Sequence, residues 1–104
     1  MQEVHMLNIR KEQNGTSLTV FLEGKLDTIT APDFEAAIKE SIDNVTELVF
    51  DMEKLEYITS AGLRVLLSAQ KTMNAQGTMT VKNVNEDIND VFEVTGFSDF
   101  LTIE

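Results

Sequence analysis

The sequence predicts an α/β fold: a mixed β-sheet, opened by an N-terminal antiparallel hairpin and continued by parallel strands, with helices packed on it. Three observations predict it. Period-two alternation occurs twice before any helical period, on either side of an Asn14-Gly15 turn signal. Helical and strand patterns then take turns to the end of the chain, which favours parallel strands joined by right-handed crossovers. The length, 104 residues, is room for one domain spanning 1–104 around a single core. A chain of this size buries roughly two-thirds of its unfolded surface, so it needs no covalent staples.

Taken in order, Leu7 and Ile9 alternate with Asn8 and Arg10 as a half-buried strand. Leu18, Val20 and Leu22 alternate with Thr19, Phe21 and Glu23, so the second strand runs from near Thr16 to Glu23, and Gly24 closes it. Thr30-Ala31-Pro32-Asp33 starts a helix. Thr30 can cap it, Pro32 suits the first turn, and Asp33 suits the positive end of the helix dipole. Phe34, Ala37, Ile38 and Ile42 follow helical spacing, with Glu35, Lys39 and Glu40 on the polar face and an end near Asp43-Asn44.

Leu48-Val49-Phe50 is a continuous apolar run, the signature of a central strand covered on both faces. Asp51 to Tyr57 then leaves the sheet. A second helix begins near Ser60 and ends at Gln76-Gly77, burying Leu63, Leu66, Leu67 and Met73 and turning Arg64, Gln70 and Lys71 to water. Met79 and Val81 alternate in a fourth strand. Ile88, Val91, Phe92 and Thr95 mark a short helix with Glu86 and Asp87 in its first turn and Gly96 at its end. Phe100, Leu101 and Ile103 suggest a last strand. The order is β-β-α-β-α-β-α-β. Phe34, Phe50, Phe92, Met52, Met73 and Met79 fall at core periods and read as packing residues.

Composition excludes several functions. With 18 acidic and 8 basic side chains the formal net charge is −10, so neither nucleic acid nor an anionic membrane surface is an expected partner. The charge favours basic or apolar partners. There is no cysteine, which removes disulfides, thiolate metal sites and thiol nucleophiles. His5 is the sole histidine and nothing local fixes it beside a serine. The carboxylates do not follow calcium-loop spacing, and Gly24-Lys25 lacks the rest of a phosphate-binding loop. Asp51 and Glu53 could in principle work as an acid–base pair, although exposed loop acids are the commoner case. No catalytic residue, metal site or cofactor is expected, and the protein reads as a non-enzyme. Met1 to Arg10 is not a signal peptide, and no window approaches a membrane span. The expected location is the cytoplasm, without membrane insertion.

One segment stands apart, Glu56 to Leu67, which follows the central strand and opens a helix. Ser60, or Thr59 one residue earlier, lies where first-turn N–H groups have no helical partner. One reading is a helix cap, worth about 1 kcal/mol. The other is a modifiable hydroxyl. A phosphate on Ser60 would add about two negative charges where the helix end tolerates an anion, so the fold would survive. A partner packed over that helix end would instead meet a hydrated dianion. Ala61 and Gly62 are small enough for close approach, and Arg64 could face either an acidic partner or water.

Three landmarks carry a family resemblance. Gly24-Lys25-Leu26-Asp27, Leu48-Val49-Phe50-Asp51 and Thr59-Ser60-Ala61-Gly62-Leu63, in this order, resemble the STAS domain of sulfate transporters and anti-sigma-factor antagonists. Thr95-Gly96-Phe97 is similar to the family's last helix and turn, so the likeness covers nearly the whole chain and implies the STAS-like mixed sheet. Small stand-alone members resemble this chain most, which implies an anti-sigma-factor antagonist. Such a protein binds an anti-sigma factor that is also a serine kinase and thereby releases a sigma factor. The kinase inactivates it by phosphorylating a serine at the start of the second helix, and a PP2C-type phosphatase restores it.

The family pattern is Asp-Ser-Ser/Thr-Gly-Leu. Aligned on Gly62-Leu63, the modified position is Ser60, the family Asp falls on Thr59 and the second hydroxyl on Ala61. Asp27 aligns with an acidic residue in a loop near that serine; its other reading is a turn-forming Asp bonded to its own backbone. The implied partner-binding set is Asp27, Thr59, Ser60, Ala61, Gly62 and Arg64. Many members carry a further C-terminal helix, whereas this sequence stops at Glu104. Other STAS members implied as an alternative are scaffold or ligand-sensing subunits of larger complexes, of signalling or lipid-transport type, without a phospho-switch.

Overall fold

The structure, a computed structural model, describes residues 6–104; His5 lies outside the described residues. β1 (Leu7–Asn14) and β2 (Ser17–Leu26) pair antiparallel across a two-residue turn in which Gly15 takes φ +64°. There follow α1 (Ala31–Ser41), β3 (Glu47–Ile58), α2 (Ser60–Gln76), β4 (Thr78–Lys82), α3 (Glu86–Thr95), a 3₁₀ turn (Phe97–Asp99) and β5 (Thr102–Ile103). The sheet order is β1-β2-β3-β4-β5, parallel from β2 onwards. This is the mixed sheet and the element order expected from the sequence.

Coverage of the sheet differs from expectation. Leu18, Leu48 and Met79 line up across three strands, as do Val20, Phe50 and Val81, and all six are buried. Thr19, Val49 and Thr80 line up on the opposite face and are half-buried. The run Leu48-Val49-Phe50 is therefore covered on one face only. The cause is topological. Each crossover steps one strand in the same direction, so right-handed connections put all three helices on the same side. The core they enclose includes Phe34 and Phe50, whose rings meet edge to face at 5.4 Å, together with Phe92, Met52, Met73 and Met79. Lys11, on β1 opposite Val20, reaches the end of α1 and donates to Ala37 O and Ser41 Oγ while pairing with Glu40. That places a cation at the negative end of the helix.

Both strands at the centre run longer than expected. Gly24 does not close β2, and Asp51 to Tyr57 does not leave the sheet; pairing continues to Leu26 opposite Ile58. Two register shifts, between Phe21 and Glu23 and between Gly24 and Lys25, each let β3 advance one residue more than β2. Bulges of this kind put two residues of one strand against one of the other. Met52, Leu55 and Ile58 are consequently buried at intervals of three, a spacing that hides a strand from any search for alternation. Gly24 sits inside this irregular stretch at φ +110°, and a Cβ there would lie 2.5 Å from Met6 O.

Smaller differences have local causes. α1 ends at Ser41, two residues before Asp43-Asn44, and Asn44 takes φ +68° in the turn that follows. Gln70 is buried, not turned to water, and bonds Asn74 Oδ1. α2 packs on the sheet and also flanks α1, so Val65 and Ala69 join Leu63, Leu66 and Met73 in the core while Leu67 is half-buried. The last strand is only Thr102–Ile103, and Phe100 stands exposed just after the 3₁₀ turn, edge-on to Phe97.

Gly24→Ala should lower the unfolding free energy by about 1–3 kcal/mol, the cost of a strained backbone with a close contact. Urea titration measures it, and a loss under about 0.5 kcal/mol would show that the bulge tolerates a side chain.

Candidate functional site

The site lies at the end of the sheet where β2 and β3 hand the chain to helices. Leu26 and Ile58 are paired there, and Thr59 N–H donates to Leu26 O at 3.0 Å. The loop Asp27–Thr30 and the start of α2 are thus side by side. Gly62 makes this closeness feasible. A Cβ on it would come within 2.5 Å of Leu26 Cγ and 2.8 Å of Ile58 Cγ1. The close approach expected of Gly62 is real, but the group that approaches is the protein's own sheet, since Gly62 is buried.

Asp27 is 6 % exposed and organises its loop. Its Oδ1 accepts from the N–H groups of Ile29 and Thr30, both at 3.0 Å, and lies 3.2 Å from Thr30 Oγ1. Thr30 Oγ1 donates to Lys25 O at 2.8 Å and accepts from Asp27 N–H at 2.9 Å. Thr30 stands at the N-cap of α1, yet its side chain makes no capping bond because these loop partners engage it. The bonds that Asp27 Oδ1 accepts from the backbone match the turn-forming reading.

Thr59 and Ser60 separate into two roles. Thr59 is the N-cap residue of α2, with extended backbone at φ −107° and ψ 178°. Its carbonyl accepts the first helical bond, from Leu63 N–H at 3.0 Å. Its hydroxyl, however, makes no capping bond, is buried and has no partner among the described residues. A modifying enzyme cannot reach it. Ser60 is the first helical residue and is exposed. The accessible hydroxyl of the pair is therefore Ser60. α2 is 17 residues long with no acidic residue in its first turn, so its positive end is not already neutralised from within the helix.

Ala61 and Arg64 line a groove of about 370 Å³ between the two helices, with Thr28, Pro32, Glu35 and Val65 among the other walls. Arg64 is exposed, as expected. Of the six candidate residues, Ser60, Ala61 and Arg64 are on the accessible side, while Asp27, Gly62 and the Thr59 hydroxyl form the support beneath them. Asp51 and Glu53 lie in β3 and are not loop acids. Asp51 Oδ1 accepts from Glu53 N–H at 3.0 Å and Oδ2 from Asn83 Nδ2 at 3.2 Å, which braces the bulged strand. Among the described residues no group of three or more His, Asp or Glu side chains could hold a metal, and no helix is long and apolar enough to cross a membrane.

The sequence pattern did not single out Ile29, which is 62 % exposed beside the site. The available signal was an apolar β-branched residue between two threonines in a loop, matched to no strand or helix period.

A hydroxyl that is buried without a partner contributes no bond to the fold. Thr59→Val should leave the unfolding free energy unchanged or raise it by up to about 1 kcal/mol, as read by urea titration. A loss of 1 kcal/mol or more would show that this hydroxyl is bonded.

Comparison with known proteins agrees with this architecture. BtrV of Bordetella bronchiseptica is 34% identical over 82 residues, which span 77% of this chain and 71% of that protein. The anti-sigma-B factor antagonist of Listeria monocytogenes is 27% identical over 96 residues, 90% of this chain and 84% of its own. Among solved structures, the Bacillus anti-sigma factor antagonist SpoIIAA superposes in its unphosphorylated form with a TM-score of 0.81 at 21% identity, covering 93% of this chain and 88% of that one. Its phosphorylated form superposes with a TM-score of 0.73, again at 21% identity, over 93% of this chain and 91% of that one. Residues 8–104 match the family model for the STAS domain. With nearly its whole length covered by that match and its sheet and helices in the same order, the chain belongs to the STAS domain family.

Proposed function

We propose that this chain is an anti-sigma factor antagonist that binds a serine-kinase anti-sigma factor in the cytoplasm and is switched off by phosphorylation of Ser60. The observation that carries the reading is the division of labour at the start of α2: an exposed Ser60 hydroxyl directly after a Thr59 hydroxyl that is shut away. Relatives named as anti-sigma-B factor antagonists, and a SpoIIAA structure described as phosphorylated with the same fold, support it.

The mechanism follows from electrostatics and packing. The unmodified chain offers its kinase partner a small neutral side chain on a firm base. Phosphorylation adds about two negative charges beside first-turn N–H groups that have no helical partner, so the helix end stabilises the modified form by roughly 0.3–1 kcal/mol. The core does not sense the change, because Ser60 contributes nothing to it. A partner packed across the helix end would have to desolvate a dianion that the helix end holds and that lies on the same face as Arg64, and it dissociates. A PP2C-type phosphatase removes the group and restores binding. No cofactor takes part on this chain.

Incubation with a cognate serine kinase and ATP should add one phosphate, mapped by mass spectrometry to Ser60. Phosphate on another residue, or none with any candidate kinase, would defeat the switch and favour a scaffold or ligand-sensing subunit. Ser60→Asp should melt within a few degrees of the wild type by circular dichroism. It should also bind the kinase at least tenfold more weakly by calorimetry; equal affinity would remove Ser60 from the interface.

A further inference from the structure

β1 is an edge strand, and among the described residues no strand pairs with its outer side. It is 8 residues long, contains no proline and keeps an unbroken register with β2 from Leu7 to Asn14. Edge strands are usually blunted by a proline, a bulge or a projecting charge, because a row of free N–H and C=O groups invites another strand. Here the charge near the middle of the strand, Lys11, is drawn back onto α1 by Ala37 O, Ser41 Oγ and Glu40. We propose that this edge pairs with the same edge of a second copy of the chain, antiparallel and centred on Lys11, so that the two five-stranded sheets become one.

The backbone is set up for it. Along an antiparallel strand, residues alternate between those that bond the neighbouring strand and those whose N–H and C=O point away from it. Asn14 and Ser17 close a two-residue turn, and Met6 O accepts from Lys25 N–H, so the even-numbered residues of β1 bond towards β2. The N–H and C=O groups of Leu7, Ile9, Lys11 and Gln13 therefore point outward. With Lys11 opposite Lys11 of the second copy, Ile9 exchanges both of its bonds with Gln13 of that copy, and the ladder closes without a bulge.

The side chains select this register. Arg10 and Glu12 stand on the sheet face that carries no helix, 62% and 61% exposed, and pair with each other. Arg10 also lies 4.0 Å over the Phe21 ring, which helps to hold it in place. In the register centred on Lys11, Arg10 comes opposite Glu12 of the second copy, and two-fold symmetry repeats the pair. These are closely spaced positions, with Cα atoms about 4.5 Å apart. Centring the pairing on Arg10 or on Glu12 sets like charges opposite one another, which is destabilising. Each Lys11 ammonium is already matched by its own Glu40 and by the end of α1. The net charge of −10 per copy opposes association, but it is screened beyond about 8 Å at physiological salt. The inference is independent of Ser60, which follows β3, two strands in from this edge.

The test is sedimentation equilibrium of the full chain at physiological salt, across about a hundredfold range of concentration. The wild type should pass from monomer to dimer. Arg10→Glu and Glu12→Arg should each weaken the dimer about tenfold, because each sets like charges opposite one another at both symmetric places. The double variant Arg10→Glu/Glu12→Arg should return to the wild-type dissociation constant. Glu12→Arg separates pairing from general repulsion, since it lowers the net negative charge and repulsion alone would then give a tighter dimer. Neither side chain belongs to the core, so all three variants should melt with the wild type. Amide exchange at Ile9, Lys11 and Gln13 should slow as the dimer forms, while Arg10 and Glu12, already bonded to β2, should not change. A wild type that stays monomeric throughout would overturn the proposal. So would a dimer that Arg10→Glu leaves unchanged, that Glu12→Arg tightens, or that the double variant fails to restore.

Discussion

Leu26 is where sheet and helices are clamped together. Its carbonyl takes the Thr59 N–H, its side chain fills the space that a Cβ on Gly62 would occupy, and its own pairing with Ile58 ends the sheet. The clamp sets where α2 begins and which hydroxyl is left outside. It turns two loops, far apart in sequence, into one rigid corner. A hydroxyl on such a corner is placed and not merely exposed, because its position is supplied by fixed backbone rather than by a mobile tip.

Much of this was legible in the residues. The hairpin was marked by Asn14-Gly15, and α3 by Glu86 and Asp87 in its first turn and its terminal Gly96, because short-range backbone preferences dominate at such points. The start of α2 at Ser60 was legible for the same reason. What stayed hidden was set by pairing at a distance. β3 looked like a three-residue strand because its second half meets β2 through bulges, and bulges erase the alternation that marks a strand. Thr30 looked like a cap, but Asp27 and Lys25 compete for its hydroxyl more effectively than the helix does. Gln70 looked solvent-facing, yet it is buried on α2 and bonds Asn74 Oδ1.

The site itself was half visible. Spacing and family likeness pointed to Ser60, and the accessible hydroxyl is indeed there. They placed Asp27, Thr59 and Gly62 in the same set, and the structure buries Asp27, Gly62 and the Thr59 hydroxyl while leaving Ser60 exposed. Residue type cannot separate a touching group from a supporting one, because the difference lies in which direction the side chain is buried. Ile29 is the converse case, an apolar residue whose exposure no periodicity would reveal.

The paired bulges in β3 have a consequence for parity. From Phe21 to Leu26 β2 advances five residues, and from Asp51 to Ile58 β3 advances seven. Both numbers are odd, so the two strands return to phase and Leu26 and Ile58 point the same way, into the interior. One surplus residue alone would turn Ile58 outward and rotate everything after it, Thr59 and Ser60 included, to the wrong side. Insertions or deletions in this stretch are therefore tolerable only in twos, and the reading frame of the sheet is what keeps the serine on the outside.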